Sequence, residues 1–349
     1  MGGFQWIRKK LQKVDNFRKR ARKFFGGKKQ KENRLPEDNT SSFESATSEK
    51  SYRNIMVTQE LLKLKEPCEN WIEEALEPLK SEYNFEACFG TGEYGSICKL
   101  SNKSSKYQVA AKIVLNEDVG AYEEDLWAIL KHPHILPLLQ TVYTAKYQVF
   151  LSPLMEGGLE AAVYDGKVTF AQLRQYLQGA FEGLDHLHAS GMCHLDVKGD
   201  NVLIGGGKGV LCDFGFVAPK NSALTNEKVG MPDPFRPPEA SLHFGYEAPI
   251  PSGEACDLWG CGIMLNELGS NFPLLYAKPE KGNWEKHVYP VLLESLQTET
   301  FVARVQLTYS DVDARTAFLL HDLILNFLEM QPEKRSSVQN ALNHQFFKE

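Results

Sequence analysis

The hydrophobic period of this chain changes partway along, and that change limits the fold more than any other feature. From residue 85 apolar residues come in short β-type runs: "ACFGTGEYGSICKL", "YQVAAKIV" and "TVYTAKYQVFLSPL". One helical stretch, "DVGAYEEDLWAILK", interrupts them. After residue 168 the spacing is helical in "TFAQLRQYLQGAFEGLDHLHAS", "DLWGCGIMLNELGS" and "DARTAFLLHDLILNFLEM". A strand-rich part followed by a helix-rich part predicts an α+β architecture, with a small antiparallel sheet, one main helix beside it and a larger helical portion. A cleft between two such parts is a usual place for a ligand.

The 349 residues leave room for an extension before this pattern begins. Residues 1–33 space Phe4, Ile7, Leu11, Val14, Phe17, Ala21 and Phe24 as one helical face, with Lys and Arg opposite. Their net charge is about +10, against about −16 for the remainder. This basic amphipathic segment predicts a partner of its own, either an anionic membrane surface or a regulatory protein; nucleic acid is not expected. Residues 34–56 are polar and Ser-rich and predict a disordered linker. Residues 57–84 return to a helical pattern, broken near Pro67, and predict a helical extension packed near the sheet. The main domain is expected over 85–349. No apolar run is long enough to span a membrane. The seven scattered cysteines contain no CxxC pair and predict neither disulfides nor zinc, but a reducing, cytoplasmic setting, with a peripheral membrane position open to the basic segment.

Polar clusters interrupt these patterns. "GTGEYGSI" places Gly90, Gly92 and Gly95 between strands, where backbone N–H groups can approach phosphate oxygens. A plain hairpin turn is the simpler alternative, and the Lys-Ser/Thr of a P-loop is absent. Lys112 ends "VAAK" in an apolar run, which is costly unless anions pair with it. Nucleotide phosphates and a carboxylate would serve. Glu123 and Glu124 are the candidate carboxylates, with Leu126, Trp127 and Leu130 marking the inward face. "HLDVKGDN" at 194–201 follows a long apolar-periodic helix, and "CDFG" follows soon after. Asp196 can accept a hydroxyl proton and Lys198 can neutralise a phosphoryl group. Asn201 and Asp213 offer the oxygen ligands that Mg2+ prefers.

Taken in order, these motifs resemble the eukaryotic-type protein kinase family. "GTGEYGSI" is similar to its Gly-rich loop, "VAAK" to its V-A-I-K strand, "HLDVKGDN" to its catalytic loop and "DFG" to its metal motif. "RPPE", "DLWGCG" and "QPEKR" are similar to its A-P-E end, central helix and closing arginine. The resemblance implies the two-lobed kinase fold, ATP and Mg2+ as cofactors and protein substrates. It implies that Lys112 binds the α/β-phosphates and is held by Glu123. Asp196 would be the catalytic base, Lys198 the charge neutraliser, and Asn201 and Asp213 the metal ligands. The nucleotide would meet Gly90, Thr91, Gly92, Glu93, Tyr94, Gly95, Ile97, Ala110 and Lys112. Ser152 would be the gatekeeper, with Pro153 and Met155 facing adenine. Arg335 would pair with Glu239. Lys198, in place of an A-A-R pattern, implies serine/threonine specificity.

Leu195 departs from the family's H-R-D arginine, and Met231 stands where many members carry Thr. Control by activation-loop phosphate is therefore not implied. Residues 269–312 match no named pattern. A scaffold that binds nucleotide without transferring phosphate is the alternative function. A small-molecule kinase of related fold is disfavoured by "RPPE" and "DLWGCG".

Overall fold

The computed structural model describes residues 70–92, 95–220, 222, 231, 235–242, 253–272 and 292–349. The expected basic segment and linker, the first part of the helical extension, and Glu93 and Tyr94 lie outside these residues. The described chain forms two compact units, one built on an antiparallel sheet and one mostly helical.

The sheet unit contains β1 (Tyr83–Gly92), β2 (Gly95–Asn102), β3 (Gln108–Leu115), β4 (Gln140–Tyr143) and β5 (Tyr147–Pro153). All neighbours are antiparallel, in the order β1-β2-β3-β5-β4. The alternation in "QVAAKIV" explains β3: Val109, Ala111 and Ile113 turn to one face and Ala110 and Lys112 to the other. Cross-strand register extends both rows. Cys98, Ala111 and Leu151 form one, and Ile97, Lys112 and Phe150 form the other.

The helical extension supplies α1 (Asn70–Leu76), which runs into a 3-10 turn at Glu77–Leu79. Ile72, Ala75, Leu76 and Leu79 pack on the row holding Cys98, Leu100, Val109, Ala111, Ile113, Val149 and Leu151. Trp71 adds a ring contact with Tyr147 at 5.8 Å. Full burial of each such leucine or isoleucine contributes roughly 1.5–3 kcal/mol. The extension thus covers one face of the sheet and leaves the other to the row holding Lys112.

The helical unit begins with α2 (Glu123–Ile129), whose Trp127 Nε1 donates to Leu136 O and whose indole lies 5.8 Å from the Phe214 ring. After the short β6 (Gly157–Gly158) and α3 (Leu159–Tyr164) comes α4 (Phe170–Ala189). Thr169 and Gln172 close its N-terminus as a reciprocal capping box. Gly183 lets another segment approach α4: a Cβ there would stand 2.4 Å from His134 O. β7 (Met192–Cys193), β8 (Val202–Gly205), β9 (Lys208–Leu211) and β10 (Ala218–Pro219) follow. Then come α5 (Pro238–Leu242), α6 (Gly253–Ser270), α7 (Thr298–Thr308), α8 (Ala314–Phe327) and α9 (Val338–Leu342).

α6 is buried on every side apart from Glu254, so it is the axis of this unit. Phe346 and Phe347 close the chain against Phe170 and Phe181. Between 269 and 312, where no pattern was recognised, the end of α6 and helix α7 are described, while 273–291 are not. No described helix is long and apolar enough to cross a membrane.

Candidate active site

The polar loop between β7 and β8 is held by one carboxylate. Asp257 lies on α6 and is fully buried. Its Oδ2 accepts from His194 N at 2.8 Å and its Oδ1 from Leu195 N at 2.7 Å. His188 Nε2, from α4, meets the same Oδ2 at 2.8 Å. A buried charge is tolerable when its lone pairs are used in this way. The anchor holds Leu195 at φ +63, a conformation that costs a non-glycine residue of order 1–3 kcal/mol. The Leu195 side chain is completely buried.

Asp196 follows directly. Its Oδ2 accepts from Lys198 Nζ at 2.7 Å and from Asn201 Nδ2 at 2.8 Å. Asn201 Nδ2 also donates to the Asp196 carbonyl at 2.8 Å. The second oxygen, Oδ1, is buried with no hydrogen-bond partner among the described residues. A buried acceptor left unsatisfied costs about 1–3 kcal/mol, so it marks a place where a donor is expected. Burial raises the Asp196 pKa, with the Lys198 ammonium opposing it. Burial alone would lower the Lys198 pKa, but the charges of Asp196, Asp200 and Asp213 raise it instead, so its ammonium persists at neutral pH.

Asp213 follows Cys212, whose carbonyl takes a bond from His194 Nε2 at 3.0 Å. Asp213 has φ +64. Phe214 is fully buried against His194 and Trp127. Gly120 must be bare, because a Cβ there would stand 2.0 Å from the Gly215 carbonyl oxygen. Asn201 spends its amide nitrogen on Asp196, which leaves its carbonyl as the available ligand. The half-buried Asp213 adds a carboxylate. This all-oxygen donor set fits Mg2+.

Glu123 opens α2, is almost wholly buried, and accepts from Gly120 N at 3.4 Å. Glu124 is only half-buried. Burial thus separates the two carboxylates that the sequence left open.

In the sheet unit, Ile97 lies opposite both Gly90 and Lys112, and Ala110 opposite Ser152. Direct register partners share a face, so Gly90, Ile97, Ala110, Lys112 and Ser152 share the face away from α1. Thr91 lies near the end of β1, and Gly92 pairs with Gly95 at the turn. Gly95 adopts φ +138, and a Cβ there would meet Ile113 O at 2.2 Å. Pro153 ends β5. Met155 belongs to the helical unit, with its Cε 2.8 Å from where a Cβ on Gly205 would be.

Sequence reasoning missed the neighbourhood of Glu160, on α3. Burial raises its carboxyl to about 9, helped by a hydrogen bond to Asp200 and the charges of Asp200 and Glu267. It therefore keeps its proton at neutral pH. The unfolded chain loses that proton near 4.5. The stabilisation is complete below this value and is lost as pH rises toward 9. Glu160→Gln keeps a donor and removes the titration. Urea midpoints measured across this range should decline less for the variant than for the wild type. Parallel declines would show that Glu160 does not carry the proton.

Residues 83–347 match the protein kinase domain, and the chain belongs to that family. It is 28% identical over 280 residues to myosin-IIIb of Mus musculus, a match covering 74% of this chain and 20% of that one. It is 22% identical over 280 residues to CBL-interacting protein kinase 8 of Oryza sativa subsp. japonica, covering 76% and 57%. Cyclin-dependent kinase 9 of Homo sapiens is 28% identical over 314 residues, covering 76% and 80%. The chain therefore spans about a fifth of the mouse relative's length and little more than half of the rice relative's.

Proposed function

We propose that this chain is a protein serine/threonine kinase that transfers the γ-phosphate of ATP to a protein hydroxyl. One observation carries the reading: Asp196 is buried with Oδ2 held by Lys198 and Asn201, while Oδ1 has no partner among the described residues. An oxygen fixed in that way can accept and orient a substrate hydroxyl and take up its proton as the new bond forms. The Lys198 ammonium, on the carboxylate's other oxygen, neutralises charge on the transferring group.

Asn201 and Asp213 would hold Mg2+, and Lys112 with the glycine turn would hold phosphates. When bound, Mg·ATP supplies the activated phosphoryl group and neutralises its oxygens. Ile97, Ala110 and Ser152, on one face of the sheet, offer an uncharged strip for adenine, and Pro153 and Met155 keep the backbone roles the resemblance implies. Glu123 keeps the role that the resemblance implies. The basic charge of residues 1–33 suits an anionic membrane surface or an acidic regulatory protein. Serine/threonine specificity is supported by Lys198 and by the relatives named as kinases of that type or as cyclin-dependent kinases.

The test is transfer of labelled γ-phosphate to mixed proteins, with Asp196→Ala as control. Incorporation that the variant abolishes supports the reading. Absence of incorporation in both, with Mg·ATP still bound, would make the chain a nucleotide-binding scaffold. Incorporation that persists in the variant would come from a contaminant.

A further inference from the structure

Cys88 on β1 and Cys98 on β2 are direct register partners. Their Sγ atoms lie 2.9 Å apart. A disulfide needs about 2.05 Å, so the sulfurs must close by roughly 0.9 Å. A register shift between Cys88 and Gly90 gives β1 local slack at this position. Cys98 is fully buried in the α1-facing core, while Cys88 is half-buried at its margin. The pair sits at the base of the glycine turn, four residues before Gly92 and three after Gly95. Neither residue is on the face holding Lys112.

We propose that Cys88 and Cys98 are a modification site, a dithiol that hydrogen peroxide closes to a disulfide tying the two strands of the glycine turn together. The Cys88 thiolate, the more accessible, attacks a peroxide oxygen. The O–O bond breaks, giving Cys88 sulfenic acid and, after proton uptake, water. The Cys98 sulfur then attacks the Cys88 sulfur, the S–O bond breaks and a second water leaves. Two thiols are oxidised, one peroxide is reduced, and a small dithiol reductant reverses the change by exchange. In a reducing setting the pair rests as thiols and closes only under oxidant. Burial pushes the thiols of Cys193, Cys256 and Cys261 up, which keeps them protonated. The bond would fix β1 against β2 beside Gly90 and Gly95, and its consequence for nucleotide binding rests on the kinase reading above.

Both cysteines fall in one tryptic peptide, Ser81–Lys99. The full chain is treated with hydrogen peroxide, unfolded in iodoacetamide and digested. The expected peptide is unalkylated and lighter than the dithiol form by two hydrogens, and dithiothreitol restores two alkylated sites. In Cys98→Ser, Cys88 should accumulate as a sulfenic acid that dimedone traps. Two alkylated thiols after peroxide, or sulfinic acid at Cys88 beside an alkylated Cys98, would overturn the proposal.

A kinetic arm tests the consequence. Reduced wild type and Cys88→Ser should turn over alike. Peroxide should lower kcat/KM for ATP roughly tenfold in the wild type, reversibly, and leave Cys88→Ser little changed. Equal inhibition of both would overturn the link to the turn. A reduced chain without activity would overturn that link together with the kinase reading, while the peptide mass would still decide the dithiol.

Discussion

Asp196→Asn should lower kcat by about 10²- to 10⁴-fold, the range for a positioned general base, and leave KM for ATP nearly unchanged. The substitution preserves size, but Asn lacks the charge that takes a proton at Oδ1 and pairs with Lys198 at Oδ2. The loss should fall on kcat and kcat/KM together, because the interaction is made to the reacting hydroxyl rather than to the resting nucleotide. Wild-type activity should also decline on acidification at a pH above the ordinary aspartate range, since burial raises the Asp196 pKa. Single-turnover kinetics with a peptide acceptor measures both. A variant that keeps most of its turnover would end the assignment of Asp196 as base.

The second large effect is structural. Arg335 follows the 3-10 turn Pro332–Lys334 and reaches Glu239 in the first turn of α5. Nη2 donates to Oε2 at 2.7 Å and Nη1 to Oε1, forming a bidentate pair. Nη1 also donates to Ala255 O at 2.8 Å and Nε to Glu329 O at 2.9 Å. The Arg335 side chain is 0% exposed and that of Glu239 8%. Glu239→Ala would leave a buried guanidinium without its counter-charge, at a cost of about 3–5 kcal/mol. Domains are commonly stable by only about 5–15 kcal/mol, so the variant should be close to unfolding at physiological temperature. Urea unfolding measures the loss. The double change Glu239→Leu with Arg335→Met should recover a large part of it, because it buries no charge. A loss of about 1 kcal/mol or less in Glu239→Ala would be the behaviour of an exposed pair and would contradict this account.

Much of this chain is legible because its informative features are local. The change from period two to helical period at residue 168 requires no knowledge of contacts, and the five-stranded sheet and the long helices fall where it directs them, while the short β7–β10 and α3 do not. Asp196, Lys198 and Asn201 occur within six residues, so a short loop brings them together whatever surrounds it. The Arg335–Glu239 pair spans the chain and was legible only through the resemblance, since nothing between residues 239 and 335 indicates that the two meet. Helix ends were less legible. "DVGAYEEDLWAILK" reads as helical throughout, yet α2 covers only Glu123–Ile129, because Gly120 is drawn against the Gly215 carbonyl. Glu160 was invisible as a titrating group, since its pKa depends on burial and on Asp200 and Glu267, residues far from it in the chain.

By itself the sequence determined the succession of periods, the order of the polar motifs, and hence the family and the chemical types available: one aspartate beside a lysine, oxygen ligands, a glycine turn. Tertiary structure alone decided which atoms are free to act. It pinned one oxygen of Asp196 and left the other open, buried Glu123 rather than Glu124, and set Cys88 opposite Cys98. The physical reason is that side-chain identity is written locally, whereas burial, register and pairing are properties of segments that meet only when the chain has folded.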